Sequence, residues 1–117
     1  MNVIFEELHG QHGARLGIAT LDAAKSLNAL TLPMIEALDA KLQAWATDPQ
    51  IVCVLLRGNG PKAFCAGGDV IDLVEACRAH PGEVPPLAAR FFADEYRLDH
   101  RIHTYPKPLI CWAHGYV

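Results

Sequence analysis

The pattern of apolar positions predicts four short strands. Two β-prone segments, Asn2 to Glu7 and Arg15 to Leu21, enclose the glycine-containing HGQHG and predict a β-hairpin. The segment Ile51 to Gly58 (IVCVLLRG) is too short and too rich in β-branched residues to favour a helix, and its unbroken apolar character predicts a strand covered on both faces. Leu109 to Ala113 predicts a fourth strand.

Three helices are predicted between these strands. The first follows Thr31, a capping residue, and stops at Asp48-Pro49, whereas the third opens at Pro86 and continues to about His103. Alternating strands and helices predict an α/β fold. Apolar residues recur at helical spacing in the first two helices, at Met34, Leu38, Leu42 and Trp45, and then at Val70, Leu73, Val74 and Cys77.

Composition narrows the class of protein. The chain has 117 residues, of which 51% are hydrophobic and 20% charged, as expected for one small globular domain. A net charge of −3 argues against nucleic acid as a partner. The apolar runs are much shorter than the ~20 residues of a membrane span, the N-terminus lacks a secretory signal, and the four cysteines form no CxxC pair. These features predict a soluble cytoplasmic protein with no membrane partner.

The stretch KAFCAGGDV is the first candidate for chemistry. Gly67 and Gly68 let the backbone approach a ligand closely, and they precede a helix whose first amides lack partners within the helix. An N–H here could stabilise an oxyanion. The alternative is an ordinary strand-to-helix turn with Asp69 as the N-cap, and spacing alone does not exclude it. The pattern fits neither a P-loop nor a dinucleotide-binding fingerprint.

Glu95 is the second candidate. Phe91, Glu95, Leu98 and Ile102 fall on one face of the third helix, and a carboxylate within an apolar stripe is costly unless it has a partner or a function. Glu95 therefore either faces a pocket or lies at the edge of the stripe, where it turns to solvent or pairs with a neighbouring arginine, Arg90 or Arg97.

Two further sets of potentially reactive side chains, a cysteine and a pair of histidines, are better explained by structural roles. Cys65, between Phe64 and Ala66, is typical of a small buried hydrophobe rather than of a nucleophile. His100 and His103 could meet beside Asp99 to bind a metal, but no third ligand is suitably spaced, so solvated helix residues are favoured.

Three segments in this order resemble the N-terminal half of the crotonase (enoyl-CoA hydratase/isomerase) superfamily. They are AKSLNALTLPMIEALDAKLQAW, LLRGNGPKAFCAGGDV and PKPLICWAHGYV. FCAGGDV followed by RFFADEYRLDHRIHTYPKP resembles more narrowly the 3-hydroxyisobutyryl-CoA hydrolase branch, which acts in valine catabolism. The family fold is a spiral of ββα units, which agrees with the predicted order of strand, strand and helix.

The resemblance also implies roles for individual residues. The Gly68 amide would be a catalytic group, one of two oxyanion-hole donors that polarise the thioester carbonyl of an acyl-CoA. The Ala66 carbonyl would hold the adenine amino group, and Glu95 matches a substrate-contacting glutamate of the hydrolase branch. Neither a metal nor a cofactor is implied, since coenzyme A enters as part of the substrate. The other implied substrate-binding residues are Lys25, Ser26, Leu27, Gly67, Asp69 and Val70.

The resemblance implies that residues 1–117 are the N-terminal part of a single crotonase-like domain. The second oxyanion amide and the acid/base carboxylates are expected beyond HGYV, and the full-length protein is expected to be a homo-oligomer. The expected activity is thioester hydrolysis. An enoyl-CoA hydratase is the nearest alternative, and a non-catalytic CoA-binding or assembly module is an alternative of another class.

If half of the active site lies beyond residue 117, the 117-residue chain alone should be catalytically inert. The purified chain is then expected to hydrolyse a CoA thioester no faster than its Gly68→Pro variant, as measured by release of free thiol. Hydrolysis clearly above that of the variant would contradict this expectation.

Overall fold

The computed structural model describes residues 2–117, which form a four-stranded sheet in the order β1-β2-β3-β4. The strands are β1 (Val3–His9), β2 (Arg15–Leu21), β3 (Ile51–Gly58) and β4 (Leu109–Trp112). β1 and β2 form the predicted antiparallel hairpin, and β3 and β4 add to it in parallel. β1 extends two residues beyond its predicted end, so His9 belongs to the strand.

Three helices follow the predicted order, α1 (Leu32–Thr47), α2 (Ile71–Ala79) and α3 (Pro86–His103). The predicted cap of α1 is confirmed, because the Thr31 hydroxyl accepts the Met34 N–H at 3.4 Å. The two strands followed by α1 make up the ββα unit, and the predicted α/β fold is confirmed. No helix within residues 2–117 has the length and apolar character needed to cross a membrane.

The α3–β4 connection holds the end of α1. The Tyr105 hydroxyl donates to the Leu42 carbonyl at 2.6 Å, and the Lys107 ammonium donates to the Trp45 and Asp48 carbonyls. Trp45 and Asp48 lie at the C-terminal end of α1, where the negative end of the helix dipole favours a cation such as the Lys107 ammonium. The YPKP segment therefore both ends α3 and caps α1.

The core lies between one face of the sheet and helices α1 and α3. Val54 and Leu56 of β3 are buried there. The prediction that β3 is covered on both faces is wrong for the described residues, because Cys53 and Leu55 are only half-buried and Val52 is 52% exposed. An apolar run identifies the strand, but it does not specify what covers each face.

The predicted apolar face of α2 is also largely unburied. Leu73 is buried, whereas Val70 and Val74 are 59% and 44% exposed and Cys77 is exposed. The helix forms as the spacing predicted, but within residues 2–117 it packs chiefly against α3. A single neighbouring helix covers only part of the stripe.

Gly17 of β2 should tolerate no side chain. A Cβ at this position would lie 2.8 Å from the Trp45 ring, and that ring is 2% exposed and in edge contact with Phe5. Gly17→Ala is therefore expected to lower the free energy of unfolding by about 1–3 kcal/mol, measured by urea denaturation. Gly10→Ala is the control, because its Cβ would meet its nearest atom at 3.4 Å. An equal loss in both variants would contradict the packing argument.

Candidate functional site

The glycine turn, residues 66–69, lies beside residues 27–30, which lead into α1. Three backbone hydrogen bonds join the two segments. Ala66 N–H donates to the Leu27 carbonyl at 2.9 Å, Leu30 N–H to the Gly67 carbonyl at 2.8 Å, and Asp69 N–H to the Leu30 carbonyl at 2.7 Å. Two segments far apart in the sequence are thereby held in a fixed register.

This register determines the direction of the Gly68 N–H. The Gly67 carbonyl and the Gly68 N–H belong to one trans peptide unit, in which the two bonds point in opposite directions. Because the Gly67 carbonyl accepts from Leu30, the Gly68 N–H points away from Leu30. It has no acceptor within residues 2–117. A partly buried N–H without a partner is uncommon, and it is available to a ligand.

The two glycines are needed for different reasons. Gly67 has φ +95°, a conformation that favours glycine, although a Cβ there would meet nothing within 4 Å. A Cβ on Gly68 would lie 3.0 Å from the Phe91 ring and 3.1 Å from Glu95 Oε1. Gly67 therefore allows the turn, and Gly68 allows α3 to approach it closely.

Asp69 and Val70 lie between the turn and α2. The Asp69 carboxylate accepts the Ile71 N–H at 3.1 Å, but the cap position of α2 is occupied by Val70, which makes no side-chain capping bond. The N-cap of α2 is therefore Val70, one residue after the predicted Asp69. The carboxylate stabilises the turn before the helix rather than the helix terminus proper.

A cavity of about 260 Å³ lies between the loops that follow β2 and β3. Its walls are the loop after β2, including Lys25 and Leu27, and the loop after β3, including Lys62. Two lysines at one cavity suit an anionic ligand. Ser26 does not line this cavity, and its hydroxyl donates to the Ala23 carbonyl at 3.0 Å.

A second cavity, of about 310 Å³, is largely apolar. The segment after β3 passes from one cavity to the other, since residues 59–63 line the first and Phe64, Cys65 and Gly67 line the second. The glycine turn borders the apolar cavity through Gly67, and its Ala66 N–H bonds to Leu27, which lines the cationic cavity. The apolar side chains of the second cavity include Leu21, Leu30, Leu38, Leu56, Leu98 and Ile102.

Glu95 lines the apolar cavity together with Asp99. Arg90 instead pairs with Glu36 and Asp94, and Arg97 pairs with Asp94, so neither arginine pairs with Glu95 in the described residues. Burial raises the pKa of the Glu95 carboxyl, and the charge of Asp99 raises it further. The structure therefore agrees with the pocket-facing alternative for this side chain.

Cys65 also borders the apolar cavity, and its sulfur accepts the Gly67 N–H at 3.4 Å. Burial raises the pKa of its thiol despite the Gly67 hydrogen bond, and the charges of Glu95 and Asp99 add to the increase. Since the thiolate is the nucleophilic form, these surroundings disfavour a nucleophilic role. His100 and His103 belong to no group of three metal-ligating side chains within residues 2–117.

Sequence reasoning missed Asn28. Its side chain is fully buried, accepts the Ala23 N–H at 2.8 Å, and donates to the Asn59 and Ala63 carbonyls at 2.9 and 3.0 Å. It joins the two loops that form the walls of the cationic cavity. The available signal was a single amide within the apolar run LNAL, where a buried polar group needs partners.

Comparison with known protein families gives a match over most of the chain. The model of the family described as Enoyl-CoA hydratase/isomerase matches residues 16–117. The chain belongs to the enoyl-CoA hydratase/isomerase family. The resemblance to crotonases is thereby confirmed, and so is the fold expected from it.

Individual relatives of the family give a finer comparison. The chain is 41% identical over 108 residues to the protein named "3-hydroxyisobutyryl-CoA hydrolase, mitochondrial" of Gallus gallus, which covers 92% of this chain and 26% of that protein. The protein of the same name from Danio rerio is 40% identical over 113 residues, covering 97% of this chain and 27% of that protein. The chain thus spans about a quarter of the length of these curated relatives. Because their names place those proteins in mitochondria, the cytoplasmic localisation expected for this chain stays a prediction.

A solved structure shows the same fold. The carnitinyl-CoA dehydratase from Mycobacterium thermoresistibile aligns with a TM-score of 0.81 at 36% identity. The alignment covers 94% of this chain and 30% of that chain. The family therefore includes different reactions on CoA thioesters, and family membership alone does not choose between them.

The raised pKa of Glu95 predicts how stability depends on pH. A carboxyl whose pKa is raised on folding contributes stability that is fully present below its usual value of 4.5 and is lost as the pH rises through the raised value. The wild-type protein should therefore lose stability relative to Glu95→Gln as the pH rises above 4.5. Denaturant unfolding of both proteins across this range measures the difference. Parallel stability curves would contradict the cavity environment described for Glu95.

Proposed function

We propose that this chain supplies the thioester-binding side of an acyl-CoA hydrolase of the 3-hydroxyisobutyryl-CoA hydrolase type. The observation that carries the proposal is the Gly68 N–H, which is directed away from Leu30 and has no acceptor among residues 2–117. The 41% identity to a hydrolase of that name supports the choice of reaction. The complete activity is proposed for the protein expressed from its full reading frame.

The proposed chemistry depends on charge that develops at the thioester oxygen. When water adds to the carbonyl carbon, the oxygen becomes an anion, and the tetrahedral species then expels the CoA thiolate to leave the acid. An N–H positioned for the anion stabilises it more than the neutral thioester, typically by about 2.7–4 kcal/mol. Gly68 is proposed to donate that hydrogen bond. A carboxylate further along the chain is proposed to direct the attack.

The two cavities suit the two ends of an acyl-CoA. The cationic cavity with Lys25, Leu27 and Lys62 is proposed to take the phosphorylated nucleotide end. The carbonyl of exposed Ala66 is proposed to accept the adenine amino group. The apolar cavity of about 310 Å³ is proposed to take the acyl group, with Glu95 as the polar contact for its hydroxyl. The thioester is then proposed to lie at the glycine turn, which borders the apolar cavity at Gly67.

An enoyl-CoA hydratase is the second candidate. It is favoured by the description of the family and by the 36% identity to a carnitinyl-CoA dehydratase of known structure. In that case the same Gly68 N–H would stabilise an enolate while water adds across a double bond. The residues described here suit either anion, so the two reactions must be distinguished by their products.

The proposal predicts that hydrolysis depends on the Gly68 N–H. With 3-hydroxyisobutyryl-CoA as substrate, Gly68→Pro should lower kcat by about 10²- to 10³-fold, because it deletes one oxyanion donor. Release of free thiol measures this activity. Gly68→Ala is the matched control, because it adds the same Cβ beside Phe91 and Glu95 but keeps the N–H, and its kcat should stay clearly above that of Gly68→Pro.

Other outcomes contradict the proposal in different ways. Loss of enoyl absorbance from crotonyl-CoA, without thiol release from 3-hydroxyisobutyryl-CoA, would identify a hydratase. Binding of CoA without either reaction would identify a non-catalytic CoA-binding module. If wild type and Gly68→Pro were equally active, the Gly68 N–H would have no role in stabilising the oxyanion.

A further inference from the structure

We infer that Asn28 is a positioning residue, whose buried carboxamide fixes the direction of the Gly68 N–H through the backbone of both neighbouring segments. The inference rests on the proposed function, because it assigns Asn28 a role in the same oxyanion site. Asn28 touches no part of the proposed substrate path directly, and it acts through residues that do.

The hydrogen bonds of Asn28 all go to the backbone. Its Oδ1 accepts from Ala23, at the start of the loop that carries Lys25. Its Nδ2 donates to the carbonyls of Asn59 and Ala63, at the two ends of the loop after β3. Both N–H donors of the amide are therefore used, and the side chain is fully buried. One side chain thus sets the separation of the two loops.

The backbone of Asn28 has a second effect. Leu27 and Asn28 have φ values of 55° and 56°, a left-handed conformation that is strained for most residues but is tolerated by asparagine. These two left-handed residues turn the chain, and both the N–H and the carbonyl of Leu30 then bond to the glycine turn. The side-chain bonds of Asn28 compensate for the strain of this left-handed conformation.

Asn28 is therefore connected, along the backbone, to both partners of the hydrogen bond between the Leu30 N–H and the Gly67 carbonyl. Leu30, the donor, lies two residues after it, and Gly67, the acceptor, lies four residues after Ala63. The Gly67 carbonyl and the Gly68 N–H share one rigid peptide, so when the carbonyl turns to follow a displaced Leu30 N–H, the Gly68 N–H turns by the same angle. A displacement of the order of 1 Å at a catalytic group can reduce the rate about 10²-fold.

Asn28→Asp separates positioning from binding. The carboxylate keeps an acceptor for the Ala23 N–H, which holds the Lys25 loop, but it loses both donors to the loop after β3. In the protein expressed from its full reading frame, kcat for thioester hydrolysis should fall by about 10- to 100-fold with a much smaller change in KM. The infrared carbonyl stretch of a bound thioester should also move back toward its value in free solution, because a misdirected N–H polarises it less.

Two further variants separate this role from general stability. Leu42→Ala removes a buried side chain of α1 that lines neither cavity, so it should lower the denaturant midpoint while the folded protein keeps wild-type kcat and carbonyl frequency. Asn28→Gly keeps the left-handed backbone without the amide, and it carries the test if Asn28→Asp does not fold.

Each outcome supports or overturns the inference. Wild-type kcat and carbonyl frequency in folded Asn28→Asp or Asn28→Gly would overturn it while leaving the proposed function intact. Failure of both variants to fold, with Leu42→Ala folded, would make Asn28 a structural residue and would also count against it. If the wild-type protein neither hydrolyses the thioester nor shifts its carbonyl frequency, the proposed function fails, and this inference fails with it.

Discussion

The direction of the Gly68 N–H depends on one hydrogen bond, from the Leu30 N–H to the Gly67 carbonyl. A trans peptide cannot turn its carbonyl without turning the following N–H, so an acceptor on one side of the turn produces an available donor on the other. The site therefore needs no side chain at Gly68 to present a donor. It needs two segments held in register.

The rest of the fold maintains this register. Leu30 is followed directly by Thr31, whose hydroxyl caps α1, and the far end of α1 is held by Lys107. On the other side of the turn, Phe91 of α3 lies where a Gly68 side chain would be. The positions of both helices are thus linked to a single peptide. This linkage explains why a glycine pair, an N-cap and a helix face together define the site.

Much of the framework could be predicted from the sequence, because strands and helices follow from local periodicity. The cap at Thr31 and the bounds of α3 follow instead from the residues at the helix ends, Thr31 for α1 and Pro86 and YPKP for α3. Burial was harder to predict, because periodicity specifies a face but not what covers it. The exposed Val74 of α2 and the half-buried Leu55 of β3 are examples.

The site itself could be predicted only in part. The absence of a Cβ drew attention to the glycine pair, but an oxyanion role for Gly68 was suggested by the family resemblance and not by spacing. Asn28 was missed because the backbone carbonyls that accept from it lie 31 and 35 residues away along the chain. No local sequence pattern indicates hydrogen-bond partners so far apart along the chain.

The central claim is that the Gly68 N–H binds the oxygen of a CoA thioester. A crystal structure of the protein with a non-hydrolysable acyl-CoA analogue tests this most directly. We expect a distance of about 2.7–3.1 Å between the Gly68 nitrogen and the oxygen that replaces the thioester carbonyl. We also expect the acyl group in the apolar cavity beside Glu95. An analogue bound with that oxygen away from the glycine turn, and with the Gly68 N–H still unpaired, would contradict the account.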